Sequence, residues 1–165
     1  MSEIIIKETT KEDLENVKEL WNNGEVMYYV GFPKGLFITM DKLEKWLERV
    51  NQDDLTKHYS IFTDELGYCG ETFYHVDTSN DLATLDIKLF PKAQGKGVAK
   101  FALNHAINQV FSNKLAKKAY VDPNPDNKKA WKFYTNLGFK ELPRPEFLGI
   151  GESYLEISVD NWHNE

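Results

Sequence analysis

The sequence predicts an α+β fold, with helices flanking a mixed, mostly antiparallel central sheet. Two observations carry this. Three strand-like runs follow one another in mid-chain, Tyr59 to Thr63, Tyr68 to His75 and Leu82 to Phe90. After them the pattern alternates helix, strand, helix and closing strands. Length sets the bound: 165 residues suffice for one sizeable core and are short for two, so residues 1–165 read as a single domain.

Element by element, Ile4 to Glu8 reads as a short strand. Thr10 offers an N-cap, with Asp13 standing in for the Glu of a capping box, before Leu14, Val17, Leu20 and Trp21 at helical spacing. Asn22 to Phe37 is aromatic and glycine-bearing without clear periodicity, and a substrate-covering loop is one use for such a piece. Thr39 to Val50 is an amphipathic helix with Leu43, Trp46, Leu47 and Val50 on one stripe. The runs Asp64 to Gly67 and Asp77 to Asp81 supply the turns of an antiparallel meander. A helix follows Gly97 to about Val110, and Lys118 to Val121 is a short buried strand. Asp122-Pro123-Asn124-Pro125 ends that strand, Asp126 or Asn124 can cap the next helix, and Gly138 stops it. Phe139 to Leu142 and Ser153 to Val159 close the sheet around a proline-bearing loop.

Composition narrows the function classes. A net charge of −6 lacks the basic face of a general nucleic-acid binder and suits cationic partners such as amines. No run approaches the ~20 apolar residues of a membrane span, and Met1 to Lys7 has no secretory pattern. Cys69 is the one cysteine, so no disulfide forms within the chain, and it reads as a small core residue. These features lead to the expectation of a cytoplasmic protein that binds neither nucleic acid nor membrane. His58, His75, His105 and His163 show no metal-ligand spacing; His105 reads as packing, and no metal is expected.

The most informative segment runs from Leu85 to Lys100, where a buried strand enters a turn with two glycines and a helix begins. Glycine permits positive φ and removes the Cβ that would block close backbone approach. The helix start presents N–H groups and a dipole that favours an anion, and Lys96 and Lys100 add charge beside it. By itself the segment reads equally as a phosphate cradle or as a turn that merely joins strand to helix. A dinucleotide fingerprint wants a third glycine where Lys100 stands, and a P-loop wants Ser or Thr where Gly97 stands.

Gln94-Gly95-Lys96-Gly97-Val98-Ala99 resembles the coenzyme A signature of the GNAT N-acetyltransferases: Gln or Arg, two residues, Gly, one residue, Gly or Ala. On a second helix, Asn127, Ala130, Tyr134 and Leu137 share one stripe, which alone is more often core packing than a site. Yet Asn127 to Phe139 also resembles that family's second motif: Asn, two residues, Ala, three residues, Tyr, three residues, Gly-Phe. The resemblance implies the GNAT fold and acetyl-CoA as cosubstrate. It implies that the turn from Gln94 to Lys100 holds the pyrophosphate and that Ile87, Lys88 and Leu89 pair by their backbone with the pantetheine arm. Asn127, Ala130 and Tyr134 complete the cofactor contact.

The resemblance further implies direct attack of an amine on the thioester. Tyr134 is then the acid that protonates the departing thiolate, and a backbone N–H near Leu89 is the oxyanion donor. For the base, Asp86 precedes the strand segment that holds pantetheine and Glu71 sits on the neighbouring strand, and each reads equally as a solvated strand residue or a turn-stabilising partner. Val121 to Asn127 is similar to the run in aminoglycoside 6′-N-acetyltransferases, and the first half loosely resembles ribosomal-protein N-terminal acetyltransferases, with Trp21 and Trp46 in suggestive places. Glu25, Asp41, Asp53, Asp54, Asp86 and Glu152 are acids available to a polycationic acceptor, although acidic surface also serves solubility. The expected acceptor is a small polyamine or aminoglycoside-like amine; a protein N-terminus and a non-catalytic acyl-CoA-binding module are the alternatives. Lys114, Lys117, Lys118, Lys128, Lys129 and Lys132 read as a solvated face that can reach a coenzyme A phosphate. Dimers being common in the family, a homodimer is left open.

Overall fold

The structure is a computed structural model and describes residues 3–162. Its strands are β1 (Ile4–Glu8), β2 (Thr56–Thr63), β3 (Gly67–Asp77), β4 (Leu82–Leu89), β5 (Lys118–Val121), β6 (Lys140–Glu141) and β7 (Leu155–Ser158). Its α-helices are α1 (Leu14–Trp21), α2 (Gly24–Met27), α3 (Met40–Val50), α4 (Val98–Ser112) and α5 (Lys128–Asn136). Among the described residues the strands form one sheet in the order β1-β2-β3-β4-β5-β7-β6. Among the described residues only β4 and β5 pair in parallel, with α4 in the crossover between them.

Side-chain alternation decides what each face carries. On β4, Ala83, Leu85 and Leu89 are buried, and Ala83 and Leu85 pack with Leu103, Ala106 and Ile107 of α4. Asp86 and Lys88 point the other way, toward the face where Trp21 of α1 reaches Glu71 of β3. On that face Leu14 and Val17 of α1 pack against Leu43 and Leu47 of α3. Gly70 of β3 adopts φ 153°, and a Cβ there would meet the Lys88 carbonyl oxygen at 2.0 Å. Only glycine therefore allows β3 and β4 to approach so closely.

The β4–β5 pairing runs from Leu82↔Lys118 to Thr84↔Tyr120 and then stops. Val121 stays paired with Leu155 of β7, and Pro123 just beyond it has no N–H to offer a ladder. The two strands part, leaving Leu85 to Leu89 without a strand on that side. The site is built on this split.

Several local expectations need adjustment. The capping box at Thr10 and Asp13 forms, and Thr39 caps α3. Helix α5, however, is capped by Asn127, whose Oδ1 accepts from Ala130 N–H at 3.2 Å, and not by Asn124 or Asp126. Asn124 is already engaged by the Asp126 N–H at 2.9 Å, which makes the preceding turn. Residues 22–37 are not irregular throughout: Asn23 caps the short α2, a 3₁₀ turn covers Tyr28–Val30, and Gly31 at φ 105° ends it. Elements this short show no readable period. β2 begins earlier, at Thr56, while β6 and β7 are shorter than expected.

Cys69 is buried, and half-buried His105 lies edge-on to Tyr59 at 4.9 Å. Burial pushes the His105 imidazole below its usual value, as suits a packed neutral ring. His163 lies outside the described residues. Among the described residues no cluster of three His, Cys, Asp or Glu has metal-ligand geometry, and no helix is long and apolar enough to cross a membrane.

Candidate active site

A cleft of about 1400 Å³ opens where β4 and β5 part. Ile87, Lys88 and Leu89 form one wall, and Gln94, Gly95, Gly97, Ala99 and Lys100 stand at the start of α4. Asn127, Ala130 and Tyr134 of α5 line it as well. Two expected residues fall outside this lining. Val98 is buried with Ala93 and Ala102, so its side chain belongs to the core and only its backbone faces the turn. Lys96 is exposed and does not line the cleft.

The turn needs its glycines for conformation. Gly95 and Gly97 have φ of 75° and 79°, and a Cβ at either would meet no protein atom within 4 Å. The space beside both is open to the cleft. The first bond within α4 runs from Phe101 N–H to Gly97 C=O at 3.2 Å, so the preceding amides point out of the helix end. Lys129 Nζ meets Gln94 Oε1 at 3.0 Å, tying α5 to this turn.

Tyr134 is 4% exposed and packs between Phe133 and Phe139 at 5.3 and 5.7 Å. Its phenol is pushed far above the usual value, by burial first and then by the carboxylates of Asp86 and Asp122. It therefore keeps its proton at neutral pH.

The two carboxylates considered as bases occupy different worlds. Asp86 lines the cleft and pairs with Lys88, two residues on along the same strand face. Glu71 is 2% exposed and absent from the cleft lining. Its Oε1 accepts from Trp21 Nε1 at 2.5 Å and contacts His58 Nε2 at 3.0 Å, while Oε2 lies 3.8 Å from Lys88 Nζ. Burial opposes its charge, yet His58, Lys88 and Trp21 together hold it below the usual carboxylate range. Glu71 is thus a buried structural anion and cannot face an acceptor.

Acids and bases are unevenly placed along the cleft. Glu25, Asp86 and Glu152 line it, whereas Asp41, Asp53 and Asp54 do not. Asp41 pairs with Lys45, and Asp53 accepts from the Leu55 N–H. Lys128 and Lys129 line it, while Lys114, Lys117, Lys118 and Lys132 stay outside. Trp21 and Trp46 enclose His58 and do not reach the cleft.

Among the charged side chains of the cleft, Asp122, Arg144 and the side chain of Lys88, of which only the backbone was given a role, were not singled out from sequence. Arg144 donates to the carbonyls of Leu148, Gly149 and Ser153 and reaches Asp122 Oδ2 at 3.4 Å, folding the β6–β7 loop over the cleft. Burial raises the Asp122 carboxyl above its usual value. The available signal was the period of two, which places Asp86 and Lys88 on one face of their strand.

A split parallel pair with a two-glycine helix start at its mouth defines the class. Residues 3–140 match the acetyltransferase (GNAT) domain family, and the chain belongs to it. It is an acetyltransferase with acetyl-CoA as cosubstrate. Among relatives, the acetyltransferase PseH of Campylobacter jejuni is 26% identical over 134 residues, 80% of either chain. A Vibrio cholerae spermidine N(1)-acetyltransferase is 23% identical over 141 residues, 85% of this chain and 80% of that one. Among solved structures, a Vibrio cholerae spermidine N-acetyltransferase with CoA and spermine superposes with a TM-score of 0.81 at 22% identity, covering 96% of each chain. A ribosomal-protein alpha-N-acetyltransferase with coenzyme A gives 0.79 at 12% identity, covering 96% of this chain and 95% of that one.

Proposed function

We propose that this chain transfers the acetyl group of acetyl-CoA to a primary amine of a small polycation, a polyamine or aminoglycoside-like compound, with Tyr134 as acid and Asp86 as base. The observation that carries the reading is the charge layout of one cleft. Glu25, Asp86, Asp122 and Glu152 line it together with Tyr134, Lys88 and Arg144, while Lys100, Lys128 and Lys129, with Asp126 beside them, line the part built by α4 and α5. An anionic cosubstrate and a cationic acceptor suit different parts of such a cleft. The spermidine acetyltransferases among the relatives support the same class of acceptor.

Acetyl-CoA supplies an acyl thioester. The turn at Gly95 and Gly97 fits its pyrophosphate, because both positions leave room for close backbone approach. The edge of β4 that carries no neighbouring strand from Ile87 to Leu89 would hold the pantetheine arm, and an N–H near Leu89 would stabilise the developing oxyanion. An alkylammonium titrates near ~10 and must lose a proton before it attacks. Asp86 stands at the cleft wall to take it. As the N–C bond forms and the C–S bond breaks, protonated Tyr134 delivers a proton to sulfur. The alkylammonium loses two protons in becoming the amide: Asp86 takes one before attack, and the other leaves the N–C adduct and restores the proton that Tyr134 gives to sulfur, so the products are the amide, the free thiol of CoA and one proton released to solvent.

The test follows thiol release from acetyl-CoA across spermidine, spermine, aminoglycosides, monoamines and short peptides. Polycations should give the highest kcat/KM. Tyr134→Phe should lower kcat by about ten- to a thousand-fold with the acetyl-CoA KM nearly unchanged. An unaffected Tyr134→Phe variant removes Tyr134 as the acid. Peptide turnover above that of every small amine would move the acceptor to a protein N-terminus.

A further inference from the structure

We propose that Lys88 is the positioning residue of the base: its ammonium, held from behind by buried Glu71, fixes the Asp86 carboxylate toward the acceptor. The inference rests on Asp86 as base in the reading above and adds a role for a side chain that reading leaves unused.

Strand register creates the arrangement. Glu71 of β3 lies directly opposite Lys88 of β4, and Phe73 lies opposite Asp86. Asp86 and Lys88 are two residues apart on one strand and share a face. A lysine stem is long enough to return its ammonium to the neighbouring carboxylate, and the two are paired. The Lys88 side chain is 14% exposed against 37% for Asp86, so the ammonium lies below the carboxylate and the carboxylate faces the cleft.

The anchor beneath is rigid. Trp21 and His58 both occupy Glu71 Oε1, which leaves Oε2 for Lys88 at 3.8 Å. Trp21 and His58 are themselves wedged against Trp46, at 4.8 and 4.7 Å between ring centres. A buried ammonium between two carboxylates has little freedom, and it passes that restriction to the more exposed partner. Burial opposes the charge on Lys88, but Asp86 and Glu71 outweigh it and hold the group firmly cationic. As an ammonium it is no nucleophile, so a primary amine can sit beside the thioester path without being acetylated in place of the acceptor.

A merely structural role, in which Lys88 only neutralises Glu71, makes a different prediction. The experiment compares Lys88→Met, Lys88→Arg and the double variant Glu71→Gln/Lys88→Met for thermal stability, kcat and both KM values. Positioning predicts that Lys88→Met lowers kcat about tenfold or more with the acetyl-CoA KM within about twofold, and that Lys88→Arg stays within about threefold of wild type. The double variant removes both buried charges and should regain melting temperature while kcat stays low. If it regains wild-type kcat, Lys88 only compensates Glu71 and the proposal falls. Wild-type kcat in Lys88→Met, or in Asp86→Asn, also overturns it while leaving the acetyltransferase reading intact. Absence of turnover by the wild-type chain on every amine overturns both.

Discussion

Glu71 shows how one residue can be mistaken for chemistry when it serves structure. A carboxylate beside a cleft strand invites a catalytic role, but its oxygens are taken by Trp21, His58 and Lys88. Its folded-state titration is depressed, so its ionisation stabilises the fold above the unfolded value near ~4.3 and loses that effect as pH falls through the lower folded value. Removing one member of a buried pair is costly because it strands the other. Glu71→Gln should therefore cost about 3 kcal/mol at pH 7, and the gap to wild type should begin to narrow as pH falls below the unfolded value of ~4.3 and close only below the lower folded value. Urea unfolding over that pH range checks this. An undiminished gap in acid would mean that Glu71 acts through shape alone.

At the scale of elements, legibility follows the range of the interaction. The β5 boundaries, Lys118–Val121, were readable because a short apolar run meets Asp122-Pro123. The turn at Gly95 and Gly97 was readable because only glycine tolerates its φ values without strain. What could not be read are pairings set by register or by a loop's return, such as Glu71 with Lys88 and Asp122 with Arg144. No local pattern encodes these, and Val98 shows the converse: it sits inside the cofactor motif yet its side chain belongs to the core. The turn also yields a clean test. In Gly97→Ala the new Cβ meets no protein atom, so left-handed strain of about 1–2 kcal/mol is the expected stability cost. Any further effect reports the occupant of that space: the acetyl-CoA KM should rise about tenfold. Gly67, at φ 72° with open surroundings at the start of β3, is the control. Gly67→Ala should lose similar stability in urea with no change in KM, and a matching KM change there would show that strain, not occupancy, weakens acetyl-CoA.

For the molecule as a whole, a net charge of −6 acts in opposite senses on acetyl-CoA and on the polycationic acceptor proposed above. The overall field attracts a polyamine and repels the phosphates of coenzyme A, and on the proposed reading Lys100, Lys128 and Lys129 at the cleft offset that repulsion locally. Salt separates the two contributions. From 0.1 M to 1 M the Debye length falls from about 10 Å to about 3 Å, which screens the long-range field and leaves close contacts. The KM for spermine should then rise by about tenfold, with kcat nearly constant, because four charges are steered and the chemistry is not. A monoamine with one charge should show a much smaller rise. The acetyl-CoA KM should move less than that of spermine, because screening removes the unfavourable global repulsion along with the favourable local attraction. Initial-rate measurements over that salt range decide it. Equal salt sensitivity of spermine and a monoamine would mean that one carboxylate, and not the acidic lining of the cleft, recognises the acceptor.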